Sequence, residues 1–321
     1  MDLQEHLAER LQAGLPLTER PFGDIAVELG CDEATVLCLT EQMIREGLIR
    51  SLGAFVDFER LGYEGLLCGL VVPAERIEEV TGALCDRREV THAYLRGHEA
   101  NLWCTALLKG ERARFMEVLR GLRCPFVALR TEMRLKLRPT FRFSEREGDD
   151  EEFSVNLGTP GGPTSLSLAE VAEVCSEEDV AVLAALQRLP VVSRPFDGPT
   201  LERLRCLKRR GVLRRVGASL DHRRVGYGAN ALVAWDVGEG GRYGREKGER
   251  AARFSWVSHC YLREVLAGTL PFAWPWTLFT MLHARTEATL VTRVGEMKEV
   301  LACPAVVLPT VRELKKTRYV F

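Results

Sequence analysis

Two strand-like stretches carry the residue types best suited to chemistry. Ser258-His259-Cys260-Tyr261-Leu262-Arg263 sets an imidazole, a phenol and a guanidinium at alternate positions, and Thr91-His92-Ala93-Tyr94-Leu95-Arg96 sets the same three in the same order. Side chains of a strand alternate between its faces, so His259, Tyr261 and Arg263 share one side, as do His92, Tyr94 and Arg96. Imidazole and phenol suit proton transfer near neutral pH. Guanidinium grips a carboxylate through two parallel N–H bonds. The same row could pack and hydrogen-bond across a sheet seam, so residue types alone leave both roles open. His283 closes the apolar run Leu278–Leu282, where a satisfied core imidazole competes with a proton donor.

Three aromatic rings, Phe272, Trp274 and Trp276, cluster in the Pro-rich stretch 270–276 and could form a flat apolar wall. Large ligand pockets are mostly apolar with few polar anchors; ordinary loop packing is the alternative. Arg134, Lys136 and Arg138 alternate with Leu135 and Leu137, and Lys315, Lys316 and Arg318 lie near the matching end of the second half. They suit either attraction of an anion or a charged, protected edge strand. His6, His98 and His222 have no supporting motif, although His98 closely follows the first row.

The elements that position these residues are read from an internal repeat. Leu15-Pro16 and Arg20-Pro21-Phe22 return as Leu189-Pro190 and Arg194-Pro195-Phe196, and Arg50-x-x-Gly53-Ala54 returns as Arg214-x-x-Gly217-Ala218. Leu61-Gly62-Tyr63 is echoed by Val225-Gly226-Tyr227, and Cys124-Pro125 by Cys303-Pro304. Preserved order implies two homologous domains paired as an internal pseudo-dimer. In the first half, Pro21–Leu29 and Asp32–Glu46 read as a helix-turn-helix, with Asp32 as N-cap and Leu48–Val56 as wing. A β-α-β-β-α-β order follows, the ferredoxin-like arrangement. The expected fold is α+β, each half a winged helix-turn-helix plus a ferredoxin-like domain. The first half covers residues 1–143 (helix-turn-helix about 15–56, ferredoxin-like about 62–143), and an acidic, Gly/Pro-rich linker covers 144–175. The second half covers 176–321 (about 176–218 and 226–321). The repeat step is 174 at Arg20/Arg194 but 164 at Arg50/Arg214, so residues are lost inside the second helix-turn-helix, which should be truncated. The second copy instead gains Glu264–Pro275, which reads as a pocket-like loop.

Bulk properties narrow the classes. A chain of 321 residues with a formal net charge of −1 has room for two cores and no global pull toward nucleic acid or anionic lipid. No apolar run is long enough for a membrane span, and the N-terminus does not resemble a signal peptide. Ten cysteines without a Cys-x-x-Cys pair favour a reduced, cytoplasmic setting. Walker, Gly-x-Ser-x-Gly and His-Glu-x-x-His motifs are missing. From Phe22 to Arg50 the acids Asp24, Glu28, Asp32, Glu33, Glu41 and Glu46 face only Arg45 and Arg50. Such a surface repels phosphates, which argues against nucleic acid as a partner.

Helix-turn-helix plus ferredoxin-like sheet resembles the Lrp/AsnC regulators. The segments 258–263, Trp274-Pro275-Trp276-Thr277-Leu278-Phe279-Thr280-Met281-Leu282-His283 and, more weakly, Leu308-Pro309-Thr310 with Lys315-Lys316 resemble a narrower family, the sirohaem decarboxylases. The resemblance spans nearly the whole chain, each half matching one subunit of a heterodimer. It implies removal of carbon dioxide from two acetate side chains of sirohaem to give 12,18-didecarboxysirohaem, in the formation of haem or haem d1. It assigns His259, His283, Tyr261 and Arg263 to catalysis, and His92, Tyr94, Arg96, Trp274, Trp276, Lys315 and Lys316 to substrate binding. No separate cofactor is implied, because the substrate carries the iron, for which His283 or His259 is a possible axial ligand. The first half has no counterpart of His283 and no Trp-Pro loop. A transcription regulator or tetrapyrrole sensor is the alternative, and further homo-oligomerisation stays open.

Overall fold

The computed structural model describes residues 2–137, 141–143, 175–238, 241–317 and 319. The linker expected over 144–175 lies outside the described residues save for Cys175, as do Arg138 and Arg318.

The first half opens with α1 (Leu3–Ala13), α2 (Pro21–Leu29) and α3 (Glu33–Arg45). Asp32 caps α3 by accepting from the Thr35 amide at 2.8 Å, and Gly30 ends α2 at φ 67°, where only glycine turns without strain. The wing β1 (Ile49–Val56) follows. The second half has α6 (Glu177–Ala185), α7 (Gly198–Arg209) and the wing β6 (Leu213–Leu220), the first sheet domain lying between in sequence. Residues 186–197 hold no helix, so the shortened repeat lacks the element corresponding to α2.

The halves share one helical core, in which Leu7, Leu11, Phe22 and Ile25 meet Leu183, Leu204 and Leu207. The wings pair antiparallel, Gly53 opposite Gly217. A Cβ on Gly53 would lie 2.5 Å from the Leu186 and Gln187 carbonyl oxygens, and one on Gly217 would lie 2.7 Å from the Leu11 oxygen. Each repeated glycine thus admits the end of the other half's first helix.

The first sheet domain comprises β2 (Glu64–Leu70), α4 (Ile77–Cys85), β3 (Val90–Arg96), β4 (Leu102–Leu108), α5 (Arg112–Gly121) and β5 (Phe126–Leu137). The second comprises β7 (Ala229–Trp235), α8 (Gly241–Arg253), β8 (Val257–Gly268), β9 (Leu278–Ala284), α9 (Glu287–Leu301) and β10 (Ala305–Lys316). Both follow the β-α-β-β-α-β order read from the sequence. Together they close into one barrel, β10-β3-β4-β2-β5-β8-β9-β7. The last strand of each half pairs with the second strand of the other: β5 with β8, and β10 with β3. Outward residues such as Cys68, Ala93 and Cys104 pack among the apolar residues of α4 and α5, and Val233, Cys260 and Leu282 among those of α8 and α9. The alternate residues face the interior.

The gained segment 264–275 is not all loop. Residues 264–268 lengthen β8 and pair with β5 from Arg130↔Glu264 to Val127↔Gly268, leaving 269–277 as the loop. The long β5 edge supplies partners for those backbone groups, which an isolated loop would leave to water. Among the described residues, no helix is long and apolar enough to cross a membrane.

Candidate active site

The two His-x-Tyr-x-Arg rows lie on β3 and β8 with the same internal geometry. In each, the imidazole and phenol centroids are 6.4 Å apart at 23°. Each guanidinium carbon lies over its tyrosine ring, Arg96 at 5.0 Å and Arg263 at 4.9 Å. The rows alternate with Ala93, Cys260 and Leu262, which point to the helices, so the chemical residues point into the barrel. There His92, Tyr94, Thr105, His259, Tyr261 and Met281 remain partly accessible, so the middle of the interior is not filled by side chains.

Neighbouring hydroxyls set the proton on both imidazoles. Ser258 Oγ donates to the Met281 carbonyl at 3.2 Å, which leaves it to accept from His259 Nδ1 at 2.7 Å. Thr91 Oγ1 donates to the Thr105 carbonyl and accepts from His92 Nδ1 at 2.9 Å. Nε2 of each ring therefore carries a bare lone pair, the form a metal or a base role requires.

Arg96 and Arg263 are buried, 5% and 7% exposed. Neither has a carboxylate within ion-pair distance among the described residues. Arg96 donates to the Leu308 carbonyl at 2.9 Å and to Thr310 Oγ1 at 3.0 Å, Arg263 to Thr131 Oγ1 at 3.1 Å, and both Nε groups lack a partner. Removal from water pushes both guanidinium pKa values down to about 10. Two buried cations without counter-ions are costly unless an anion joins them.

Burial also keeps the imidazoles neutral. It lowers His92 to about 4 and His259 to about 3, with Lys316 adding to the effect at both and His92 adding to it at His259, and drives His283 well below its ordinary value. Tyr94 is pushed up to about 12 and Tyr261 upward, so both phenols stay protonated donors. Of the two rows, proton donation into the interior thus falls to the phenols. A polyanion entering would raise the imidazoles again.

His283 lies on β9 with Nδ1 buried and unpartnered. Its ring stands 5.1 Å from that of His222 and 5.0 Å from that of Phe141. Residue types alone gave His222 no role; the fold places it in this cluster, beside Asn230. Its electrostatic coupling to His283 and Lys316 puts all three at one end of the interior. At the other end Trp274 packs on Trp103 (5.1 Å) and stacks on Phe279 (6.5 Å), with Trp276 against it at 4.8 Å. The tryptophans thus form a wall, with Trp103 supplied by the first half.

The basic strand residues divide. Lys316 faces the site, paired with Glu313 at 3.6 Å. Lys315 does not: Nζ donates to the Cys85 and Arg87 carbonyls at 2.6 and 2.9 Å beyond α4, because a bulge between Glu313 and Lys315 breaks the alternation. Arg134 is neutralised by Asp57 and Glu59, and Lys136 donates to the Phe254 carbonyl at 2.7 Å, so neither is free to draw in an anion. His98 accepts from the Ala100 amide and packs on Phe272 and Trp274. No group of three or more His, Cys, Asp or Glu among the described residues is placed to hold a metal ion.

Two winged-helix units, the second shortened, joined to a closed barrel of two ferredoxin-like sheets define an AsnC-like class. Residues 60–126 and 224–315 match the AsnC-like ligand binding domain, and residues 5–50 match the siroheme decarboxylase NirDL-like HTH domain. A siroheme decarboxylase of Hydrogenobacter thermophilus is 30% identical over 96% of this chain and 91% of its own length. The crystal structure of the siroheme decarboxylase NirDL aligns with a TM-score of 0.69 at 26% identity, covering 100% of this chain and 94% of that one. The same enzyme in co-complex with an iron-uroporphyrin III analogue gives 0.67 at 25% identity, with the same coverage. The chain belongs to the siroheme decarboxylase family.

Proposed function

We propose that this chain is a carboxy-lyase acting on sirohaem, removing carbon dioxide from two acetate side chains to leave the methyl groups of 12,18-didecarboxysirohaem. The observation that carries this reading is the pair of buried guanidinium groups without counter-ions, Arg96 and Arg263, facing a shared interior. A polycarboxylate macrocycle supplies the missing negative charge at both. The relatives' names, and the iron-porphyrin analogue held by the NirDL crystal, support the substrate class.

In this reading the tryptophan wall lies along the macrocycle, and Arg96, Arg263 and Lys316 take its carboxylates. The iron is part of the substrate, and His259, whose bare Nε2 faces the interior, or His283 would supply the imidazole nitrogen that meets it. Decarboxylation breaks the bond between the acetate methylene and its carboxyl carbon. The electron pair stays on the methylene and spreads into the macrocycle, and one proton then completes the methyl group. Tyr261, Tyr94 and the imidazoles are the groups in reach to deliver it. Arg263 holds a reacting carboxylate only if some of its binding is surrendered as carbon dioxide leaves, so interactions elsewhere on the macrocycle must drive the step.

Anaerobic incubation with sirohaem followed by mass spectrometry tests the proposal. Loss of two carbon dioxide units is expected. Tight binding with an unchanged mass overturns it in favour of a tetrapyrrole sensor.

A further inference from the structure

The two halves serve as references for each other. In the first sheet Glu64 pairs with Leu108 and Leu70 with Leu102; in the second, Ala229 pairs with Ala284 and Trp235 with Leu278. Gly65 and Leu107 therefore correspond to Asn230 and His283. The Leu61-Gly62-Tyr63 repeat likewise sets Phe58 against His222. Three non-polar positions of one half are polar in the other, and all three polar residues meet at one place.

The hydrogen bonds show what the change built. Both halves share an arginine-to-threonine contact, Arg263 to Thr131 and Arg96 to Thr310. In the first half the chain ends at the Gly65 carbonyl, 3.4 Å from Thr131 Oγ1, and Phe58 packs on Tyr63 and Tyr319. In the second half it continues: Thr310 Oγ1 to Asn230 Oδ1 at 2.7 Å, then Asn230 Nδ2 to His222 Nε2 at 3.3 Å.

Proton counting gives this chain a direction. Arg96 can only donate, so Thr310 Oγ1 accepts from it and sends its own proton to Asn230 Oδ1. The Asn230 amide then turns its N–H to His222 Nε2, which must accept. The reverse amide orientation would point two donors at Thr310 and leave its hydroxyl proton with no acceptor among the described residues.

We infer that Asn230 is a positioning residue: through Arg96–Thr310–Asn230 it holds His222 in the tautomer with Nε2 bare and the proton on Nδ1. His92 and His259 occupy the same tautomer but offer their bare Nε2 to the interior, whereas the lone pair of His222 is already used. His222 thus keeps its N–H on Nδ1, clear of the hydroxyl bonds that take up the Nδ1 protons of His92 and His259. Resting on the proposed decarboxylation, this N–H donates to a substrate carboxylate or to the carbon being protonated. An anion reaching Arg96 acts on the same chain.

The test is long-range ¹H–¹⁵N NMR of the full, ligand-free chain labelled at its six histidines. His222 is assigned by the signal lost in His222→Gln. The wild type should show protonated Nδ1 and bare Nε2 at His222, and Asn230→Asp, which can only accept, should move the proton to Nε2. Thr310→Val removes the hydroxyl that orients the amide and should give a mixture of tautomers, which tests the chain even if Asn230→Asp misfolds. An Nε2-protonated His222 in the wild type, or a tautomer unmoved by the variants, overturns the inference. With sirohaem, Asn230→Gly should lower kcat at least tenfold while KM changes less than threefold; equal losses in both would reduce Asn230 to a packing role and also overturn it. The tautomer is read without substrate, so failure of the wild type to decarboxylate sirohaem would refute the proposed function while leaving the tautomer assignment intact.

Discussion

Arg263→Met separates what the empty fold needs from what the site needs. The guanidinium is buried, and removal from water lowers its pKa from 12.5 to about 10. A depression of that size corresponds to roughly 3 kcal/mol by which the folded chain disfavours the charged form. Methionine keeps a long apolar stem and drops the charge. Against this stand the charge-assisted bond to Thr131 Oγ1 at 3.1 Å, about 2 kcal/mol, and the Tyr261 ring at 4.9 Å, about another 1 kcal/mol. The ligand-free variant should therefore be about as stable as the wild type, melting within roughly 3 °C of it. A bound polycarboxylate separates the two. At about a hundredfold excess over Kd, ligand stabilises the wild type by about 2.7 kcal/mol. The variant lacks one charge-assisted clamp, so at the same concentration its stabilisation should be smaller by about 1–2 kcal/mol. Calorimetric melts with and without iron-uroporphyrin III measure both effects. A ligand-free variant melting well below the wild type, or a ligand-induced rise equal to the wild type's, refutes the reasoning.

Gly69→Ala would set a Cβ 2.6 Å from Trp103 Cζ2, and overpacking of this kind costs about 1–3 kcal/mol; urea melts should show a lower midpoint at unchanged slope, and an unmoved midpoint would mean Trp103 yields freely. The inward histidines give acid sensitivity. His92, His222 and His259 have folded pKa values of about 4, 4 and 3 against an ordinary 6.5, so below pH 6.5 the unfolded chain takes up protons that the folded chain refuses. Stability should fall from pH 6.5 toward 4 by up to about 1.4 kcal/mol per pH unit for each such group, and ligand-free melts that stay flat from pH 7 to 5 would contradict this. Mobility shifts on duplex DNA at low salt should show no complex, given the acids around α3; tight, salt-sensitive binding would restore the regulator reading.

Much of the fold was legible because both periodicities are clean. Alternation in Val90–Arg96 and Val257–Arg263 placed the two chemical rows on single faces, and the repeat step located the lost helix. What failed was an assignment carried over by resemblance without regard to which face each residue takes. Lys315 and Lys316 were grouped as substrate-binding, but the bulge after Glu313 sends Lys315 to the outer surface and keeps only Lys316 at the site. The segment 264–268 read as loop because its partner strand, β5, is more than a hundred residues away, and strand pairing is a tertiary choice. His222 was missed for a different reason. It stands alone between Asp221 and Arg223 with no motif, and its meaning comes from Asn230 and His283. The available signal was the repeat itself: stepping 164 residues back from His222 reaches Phe58, a change of chemistry inside an otherwise matching stretch.

Barrel closure also has a consequence for synthesis. β10 is held on one side by β7 and on the other by β3, and Thr310 meets Arg96 across a sequence separation of 214 residues. At roughly 5–20 residues per second, a ribosome needs on the order of 10–40 s to bridge that interval. Throughout it, the nascent first sheet carries β3 as an open edge, and β5 until β8 arrives. Unpaired edges are templates for wrong partners, and contacts this distant form slowly. Yield of folded chain should therefore respond to translation speed and chaperone supply.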